Sequence, residues 1–128
     1  MKKRILLAED DQAILQMTKL RLEHAGFEVV LAVDGEAAIN AAIGPGGFDL
    51  ILLDIRMPKC DGFEVCRRLK AHAATASIPV VVITASSTHW QYLAHRCIEL
   101  GVTDWLRKPF RSRELLEKIH RALGEPLP

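Results

Sequence analysis

Short apolar runs alternate with longer segments in which apolar residues recur at helical spacing. The runs have the length and the β-branched content of strands that are covered on both faces of a sheet. They occupy residues 5–8, 29–32, 50–53, 80–83 and, in shorter form, 105–106. Each run is bounded by polar, glycine or proline residues, which favour turns.

The segments between the runs predict helices. In the first, Ile14, Leu15, Thr18, Leu22 and Ala25 share one face at a period of 3.6 residues, and glycine follows them. Similar patterns cover residues 36–43, 63–69, 90–100 and 115–123. Five strands alternating with five helices predict an α/β fold, a doubly wound five-stranded parallel sheet with right-handed crossovers.

Composition limits the class of protein. The 128 residues are enough for one domain with one sizeable core, and we expect residues 124–128 to fray. A net charge of +1 gives no electrostatic reason for nucleic acid binding. Three cysteines without paired spacing suit a reducing compartment, and no apolar run approaches membrane-spanning length. We therefore expect a cytoplasmic protein that does not enter membranes.

Chemically active side chains stand where four of the predicted strands end. Glu9 and Asp10 follow the first strand, Asp54 ends the third, Thr84 the fourth, and Lys108 follows the fifth. The carboxyl ends of parallel strands meet at one edge of a sheet, where ligands bind. Carboxylates crowded there repel one another, which favours a divalent cation such as Mg²⁺. A carboxylate can also act as a nucleophile toward a phosphoryl group.

Each of these residues alone has a simpler explanation. Asp11 and its acidic neighbours could cap a helix, and for Asp11 we expect that role. Asp54 could be a turn residue, Thr84 a β-former, and Lys108 a solvated surface lysine. Their joint placement at four strand ends favours a site.

Five segments, in order and at compatible spacing, resemble the receiver domain of two-component response regulators, of the chemotaxis-regulator type. They are RILLAEDD at 4–11, DLILLDIRMP at 49–58, DG at 61–62, IPVVVITA at 78–85 and GVTDWLRKPF at 101–110. The resemblance covers nearly the whole chain. It implies a flavodoxin-like sheet with strand order 2-1-3-4-5.

The resemblance implies roles for the acidic residues. Asp54 would be the phosphoacceptor that takes a phosphoryl group from a histidine kinase. Asp10 and Asp54 would ligate Mg²⁺, with Glu9 acting through water. The main-chain carbonyl of Arg56 would complete the protein ligands.

It also implies a switch. Thr84 would hydrogen-bond the phosphoryl group and Lys108 would pair with it. Trp105 stands where the family usually has Tyr or Phe, whose rotamer follows the movement of Thr84. The change would reach the surface of the fourth helix, fifth strand and fifth helix. The Lys108–Pro109 bond would be cis, as is usual in the family.

Arg56 and Ser86 stand at positions that tune phosphate lifetime in the family, and a long side chain at 56 is expected to slow hydrolysis. Three departures from the family pattern stand out. Trp105 is bulkier than usual, and residues 86–90 extend the loop before the fourth helix. The insert at 44–47 lies at the opposite end of the sheet and is expected to be inert.

The implied partners are a sensor histidine kinase or phosphotransfer protein and an output partner or fused effector domain, with a homodimer possible. Direct nucleic acid binding is not implied, nor is enzyme activity beyond assisted phosphotransfer and autodephosphorylation. The principal alternative is a receiver-like interaction module that phosphorylation does not switch. An aspartyl phosphatase would carry a second Asp where Arg56 stands. A flavin binder would want a hydroxyl- and glycine-rich loop in place of Glu9 and Asp10.

Overall fold

The computed structural model describes residues 2–57, 61–85 and 90–126, with only the backbone described for Trp90. Strands and helices alternate strictly along the chain. The strands are β1 (Arg4–Ala8), β2 (Glu28–Ala32), β3 (Leu50–Asp54), β4 (Val80–Thr84) and β5 (Asp104–Arg107). The helices are α1 (Gln12–His24), α2 (Gly35–Ile43), α3 (Gly62–Ala71), α4 (Trp90–Glu99) and α5 (Ser112–Leu123).

The strands form one parallel sheet in the order β2-β1-β3-β4-β5. This confirms both the parallel sheet and the 2-1-3-4-5 order. β1 lies between β2 and β3, so that Leu6 is paired with Val30 on one side and Ile51 on the other. From β1 the chain first adds β2 on one side and then returns to add β3 on the other side. The strand order therefore reverses between β1 and β3, and ligands of open parallel sheets bind at such a switch point.

Helices cover both faces of the sheet. On one face α1 and α5 pack through Leu15, Leu22, Leu115 and Ile119. On the other face α2, α3 and α4 supply a second core. Because they lie between these layers, β3 and β4 are buried at every residue, which explains their unbroken apolar runs.

Aspartates start three of the helices. Asp11 accepts hydrogen bonds from the amides of Ala13 and Ile14, as expected of a cap. Asp34 and Asp61 cap α2 and α3 in the same way. Asp11 is thus assigned to helix α1, which leaves Glu9 and Asp10 as the acids at the end of β1.

The insert at residues 44–47 is tied to the start of β1. The Arg4 guanidinium donates to the carbonyl of Gly47 and lies 4.7 Å from the centre of the Phe48 ring. A Cβ at Gly46, where φ is +104°, would stand 2.7 Å from the same guanidinium. The insert therefore packs against the sheet end opposite the candidate site.

The sequence predicts exposed histidines, cysteines that fill small spaces in or near the core, and a Trp90 that packs on the core stripe of its helix. His120 was expected to be exposed, but its side chain is 15% exposed and its ring lies 5.7 Å from that of Phe27. Cys66 and Cys97 are buried, as expected of small core residues. The expectations for Cys60 and for the side chain of Trp90 fall outside the described residues. Within the described part of the chain, no helix is long and apolar enough to cross a membrane.

The α1 helix provides a matched test of the predicted core. Leu22 is fully buried against the sheet, whereas Leu20 on the same helix is 64% exposed. We expect Leu22→Ala to lower the free energy of unfolding by about 2–5 kcal/mol through lost burial and a residual cavity. Leu20→Ala should change it by less than about 0.5 kcal/mol. Urea denaturation of both variants measures the difference, and equal losses would contradict the packing described here.

Candidate functional site

Three carboxylates converge at the carboxyl ends of β1 and β3. Glu9 and Asp10 directly follow β1, and Asp54 is the last residue of β3. One carboxylate oxygen from each lies within 4.8 Å of the other two. Glu9 and Asp54 are only 1% and 4% exposed, while Asp10 is open to solvent. Two buried acids thus stand beside one that reaches water.

Lys108 brings a positive charge to this group. Its ammonium lies 2.8 Å from Glu9 Oε1 and donates a hydrogen bond of 3.0 Å to Asp54 Oδ2. The other oxygen of Asp54, Oδ1, accepts from the amide of Arg56 at 3.0 Å. Both oxygens of the Asp54 carboxylate are therefore oriented by the protein.

Burial and charge shift the protonation of the site. Desolvation, together with the neighbouring Asp54 carboxylate, raises the pKa of Glu9 from 4.5 to about 7. Burial lowers the pKa of Lys108, but its contacts with Glu9 and Asp54 outweigh that effect and leave the pKa above its usual value. One cation does not offset three close acids.

The donor set fits a hard divalent cation. The buried Glu9 carboxylate has the Lys108 ammonium 2.8 Å from Oε1, but that ammonium also bonds Asp54, so three close carboxylates share its charge. Crowded carboxylates of this kind are stabilised by a divalent cation. Next to the acids lies an open cleft of about 540 Å³, lined by Asp10, Ile55, Arg56, Met57, Asp61 and Phe63. Carboxylates beside a solvent-filled cleft suit Mg²⁺, which keeps several waters.

The other predicted residues that the structure describes lie on β4 and β5 or directly after β5. Thr84 ends β4 and is 4% exposed, and its carbonyl accepts from the Lys108 amide at 2.8 Å. Trp105 is paired with Val82 of β4, is half-buried, and packs against the core beneath α2, α3 and α4. The Lys108–Pro109 bond is cis, as expected. Ser86 lies outside the described residues.

Sequence reasoning assigned no role to Gly62, although the pair Asp61–Gly62 was part of the resemblance. In the structure, Gly62 starts α3 and its amide donates to the carbonyl of Ile55 at 2.7 Å. Ile55 follows Asp54 directly. The only signal in the sequence was a glycine placed after a helix-capping Asp, which says nothing about which backbone it approaches.

Comparison with known proteins identifies the family. The family described as Response regulator receiver domain matches residues 5–120. The chain is 39% identical over 122 residues to the DNA-binding dual master transcriptional regulator RpaA of Synechocystis sp., covering 94% of this chain and 48% of that protein. It is 38% identical over 120 residues to the transcriptional regulatory protein CpxR of Escherichia coli, covering 94% and 49%. The chain therefore spans about half the length of these relatives.

Solved structures of receiver domains are similar to this chain. One is the receiver domain of a sensor histidine kinase from Pseudomonas aeruginosa, with magnesium coordinated in its active-site cleft. It superimposes with a TM-score of 0.86 at 29% identity, covering 98% of this chain and 100% of that one. The chemotaxis protein CheY4 of Vibrio cholerae gives 0.87 at 30% identity, covering 95% and 99%. The chain belongs to the response regulator receiver domain family, a class of signalling domains in two-component systems.

The raised pKa of Glu9 predicts how stability depends on pH in the absence of metal. The folded protein binds the Glu9 proton more tightly than the unfolded chain, so its stability falls as pH rises from about 4.5 to about 7 and levels off above. Glu9→Gln removes the titrating group, and we expect the variant to gain about 1–3 kcal/mol relative to the parent between these pH values. Urea denaturation in EDTA at pH 5 and pH 8 measures this, and parallel pH profiles of the two proteins would contradict it.

Proposed function

We propose that this domain is a phosphorylation-dependent signalling switch in which Asp54 is the phosphoacceptor. The observation that carries the proposal is the Asp54 carboxylate itself, buried at the end of β3, held at both oxygens and flanked by two further acids. Lysine and backbone donors there are suited to the charge that develops on a transferred phosphoryl group.

The chemistry follows from these contacts. An oxygen of Asp54 attacks the phosphorus of a phosphohistidine, an O–P bond forms, and the P–N bond breaks with its electron pair going to the imidazole. Lys108 then pairs with the phosphoryl oxygens, and Thr84 donates its hydroxyl to them. Arg56 N–H orients the attacking carboxylate at Oδ1. The enzyme-like contribution of the domain is limited to this assisted transfer and to autodephosphorylation.

Asp10 and Asp54 would hold Mg²⁺ directly, Glu9 would do so through water, and the Arg56 main-chain carbonyl would complete the set. When bound, the ion would offset the repulsion between the acids and polarise the phosphoryl group. Glu9 is placed to accept from a water bound to the ion, because one of its carboxylate oxygens lies within 4.8 Å of those of Asp10 and Asp54. Lys108 remains the cation that holds the acids together when the ion is absent.

The conformational change caused by phosphorylation would be relayed through Thr84 and Trp105. Thr84 lies on β4 and Trp105 on the neighbouring β5, and Trp105 packs on the layer that contains α4. Helix α4, which is part of the proposed output surface of α4, β5 and α5, carries exposed Tyr92 and Ile98. Phosphorylation would shift the population of two conformations of this face, because a ligand moves an equilibrium only by its different affinity for the two states.

The proposed partners are a sensor histidine kinase or a phosphotransfer protein on the input side and an effector, fused or separate, on the output side. The relatives with regulatory names are about twice as long as this chain, and any DNA binding would belong to such further segments. The acidic site itself would repel phosphate backbones. We propose a cytoplasmic location, where histidine kinases present their phosphohistidines, and the last two helices as the surface of any homodimer.

Asp54→Asn tests the phosphoacceptor directly. The parent protein incubated with acetyl phosphate and Mg²⁺ should gain one phosphoryl group by intact mass, and EDTA should prevent it. The asparagine variant should gain none, because its side-chain amide is a far weaker nucleophile than a carboxylate.

Asp11→Asn is the matched control, since Asn is as good a cap as Asp and this residue caps α1 without contacting Asp54. It should be phosphorylated like the parent. Labelling that persists in Asp54→Asn would refute the assignment. A parent protein that takes no phosphoryl group at all would favour the interaction module that phosphorylation does not switch.

Arg56 provides a test of phosphate lifetime. Its side chain is exposed at the cleft beside Asp54, and we propose that it limits the access of water to the aspartyl phosphate. For Ser86 the proposed role in phosphate lifetime rests on the family resemblance. Arg56→Ala should shorten the lifetime of the phosphoprotein by roughly 2–10-fold, equivalent to about 0.4–1.4 kcal/mol of activation free energy. The decay of the phosphorylated mass after removal of acetyl phosphate measures it, and an unchanged decay rate would exclude this role.

A further inference from the structure

A single peptide group connects the phosphoacceptor to helix α3. The peptide between Ile55 and Arg56 uses its N–H to donate to Asp54 Oδ1 at 3.0 Å. The carbonyl of the same peptide accepts from the amide of Gly62 at 2.7 Å. Because a peptide group is planar, fixing the carbonyl also fixes the direction of the N–H. The amide of Gly62 therefore bonds the same peptide group that holds Asp54 Oδ1.

The approach of α3 to this peptide requires glycine. A Cβ at Gly62 would lie 2.5 Å from the Cα of Ile55 and 2.8 Å from the main-chain oxygen of Asp54. Both obstacles are backbone atoms, so no side-chain rotation relieves them. Gly62 is not among the glycines with positive φ. The requirement is close approach alone, and not an unusual backbone conformation.

The neighbouring contacts leave little freedom to absorb a displacement. The Ile55 amide donates to the carbonyl of Ile83 in β4 at 3.0 Å, so Ile55 is held from the sheet as well as from α3. Residue 55 is itself 7% exposed and packs in the core. A wedge at position 62 must therefore either move the start of α3 outward or tilt the Ile55–Arg56 peptide.

We propose that Gly62 is a positioning residue for the phosphoacceptor, acting through the Ile55–Arg56 peptide that holds Asp54 Oδ1. The relay runs from the α3 amide to the Ile55 carbonyl and from the Arg56 amide to the carboxylate. The other oxygen of the carboxylate, Asp54 Oδ2, accepts its hydrogen bond from Lys108. The proposal rests on the function proposed for Asp54, and it adds the residue that fixes the carboxylate before metal or phosphoryl donor arrives.

The test substitutes Gly62→Ala and follows the Arg56 amide by ¹H–¹⁵N NMR in metal-free protein. We expect its hydrogen exchange to accelerate by about tenfold or more, since the bond to Asp54 Oδ1 is lost or lengthened. Asp54→Ala, which removes the acceptor, should expose the same amide. Titration with Mg²⁺, followed by calorimetry, should show an affinity about tenfold weaker in Gly62→Ala.

Gly124→Ala is the control for general destabilisation. Gly124 ends α5 with φ of +72° and has no atom within 4 Å of a Cβ position, so alanine there causes strain far from the site. It should lower the unfolding midpoint while leaving the Arg56 amide and the Mg²⁺ affinity as in the parent. A purely structural role for Gly62 predicts the same outcome for both glycine variants.

An Arg56 amide in Gly62→Ala that exchanges as slowly as in the folded parent would overturn the proposal. If that variant does not fold, the parent protein still decides, because the relay requires a measurable scalar coupling across the Gly62–Ile55 hydrogen bond, and its absence would equally overturn the proposal. These measurements use no phosphoryl donor. A parent that shows the relay and yet takes no phosphoryl group from acetyl phosphate would refute the proposed function and leave the positioning role intact.

Discussion

The mutual repulsion of Glu9, Asp10 and Asp54 is the constraint on which the rest of the structure depends. Charged groups are costly in a protein interior, and two of these acids are almost completely buried. The fold holds them there by placing Lys108 between two of them and by directing the backbone amide of Arg56 at Asp54. Burial and the neighbouring Asp54 carboxylate raise the pKa of Glu9 to about 7 despite the contact with Lys108. Such a site favours a bound cation, which would offset the remaining negative charge.

The surrounding architecture makes that arrangement rigid. β3 is covered on both faces and hydrogen-bonded on both sides, to β1 and to β4. Asp54 therefore has no lateral freedom, and a change in its charge must be accommodated by the segments that follow the strands. Arg56 and Lys108 lie in those segments, and Thr84 is the last residue of β4. The strand ends that carry the acids thus also carry the lysine and the backbone amide that contact them.

The sequence predicted most of the fold because its strongest signals were unambiguous. Unbroken apolar runs indicate doubly covered strands, and glycine-bounded periodic segments indicate the helices between them. The strand order came from the resemblance, since hydrophobic patterns do not encode which strands are neighbours. The gathering of Glu9, Asp10, Asp54 and Lys108 followed from parallel strand ends meeting at one edge.

What escaped prediction depends on backbone geometry and on packing between distant segments. The close approach of Gly62 to Ile55 has no sequence pattern, because glycine also serves in turns and caps. The half-buried state of His120 depends on Phe27, which is far away along the chain. Likewise, the insert at 44–47 was correctly placed away from the site, but its attachment to Arg4 could not be foreseen.

Beside the contact between Arg4 and the insert, two hydrogen bonds join the Arg4 backbone to Asp49, and their effect extends along β3. The Arg4 amide donates to Asp49 Oδ2 at 2.7 Å, and the Asp49 amide donates to the Arg4 carbonyl at 2.8 Å. Together they set the register in which β3 enters the sheet beside β1. Side chains on a strand alternate between faces, so a slip of one residue would turn every one of them over. The Arg4–Asp49 pair therefore contributes, at the end of β3 far from the acids, to the register that brings Asp54 to the other end of the strand beside Glu9.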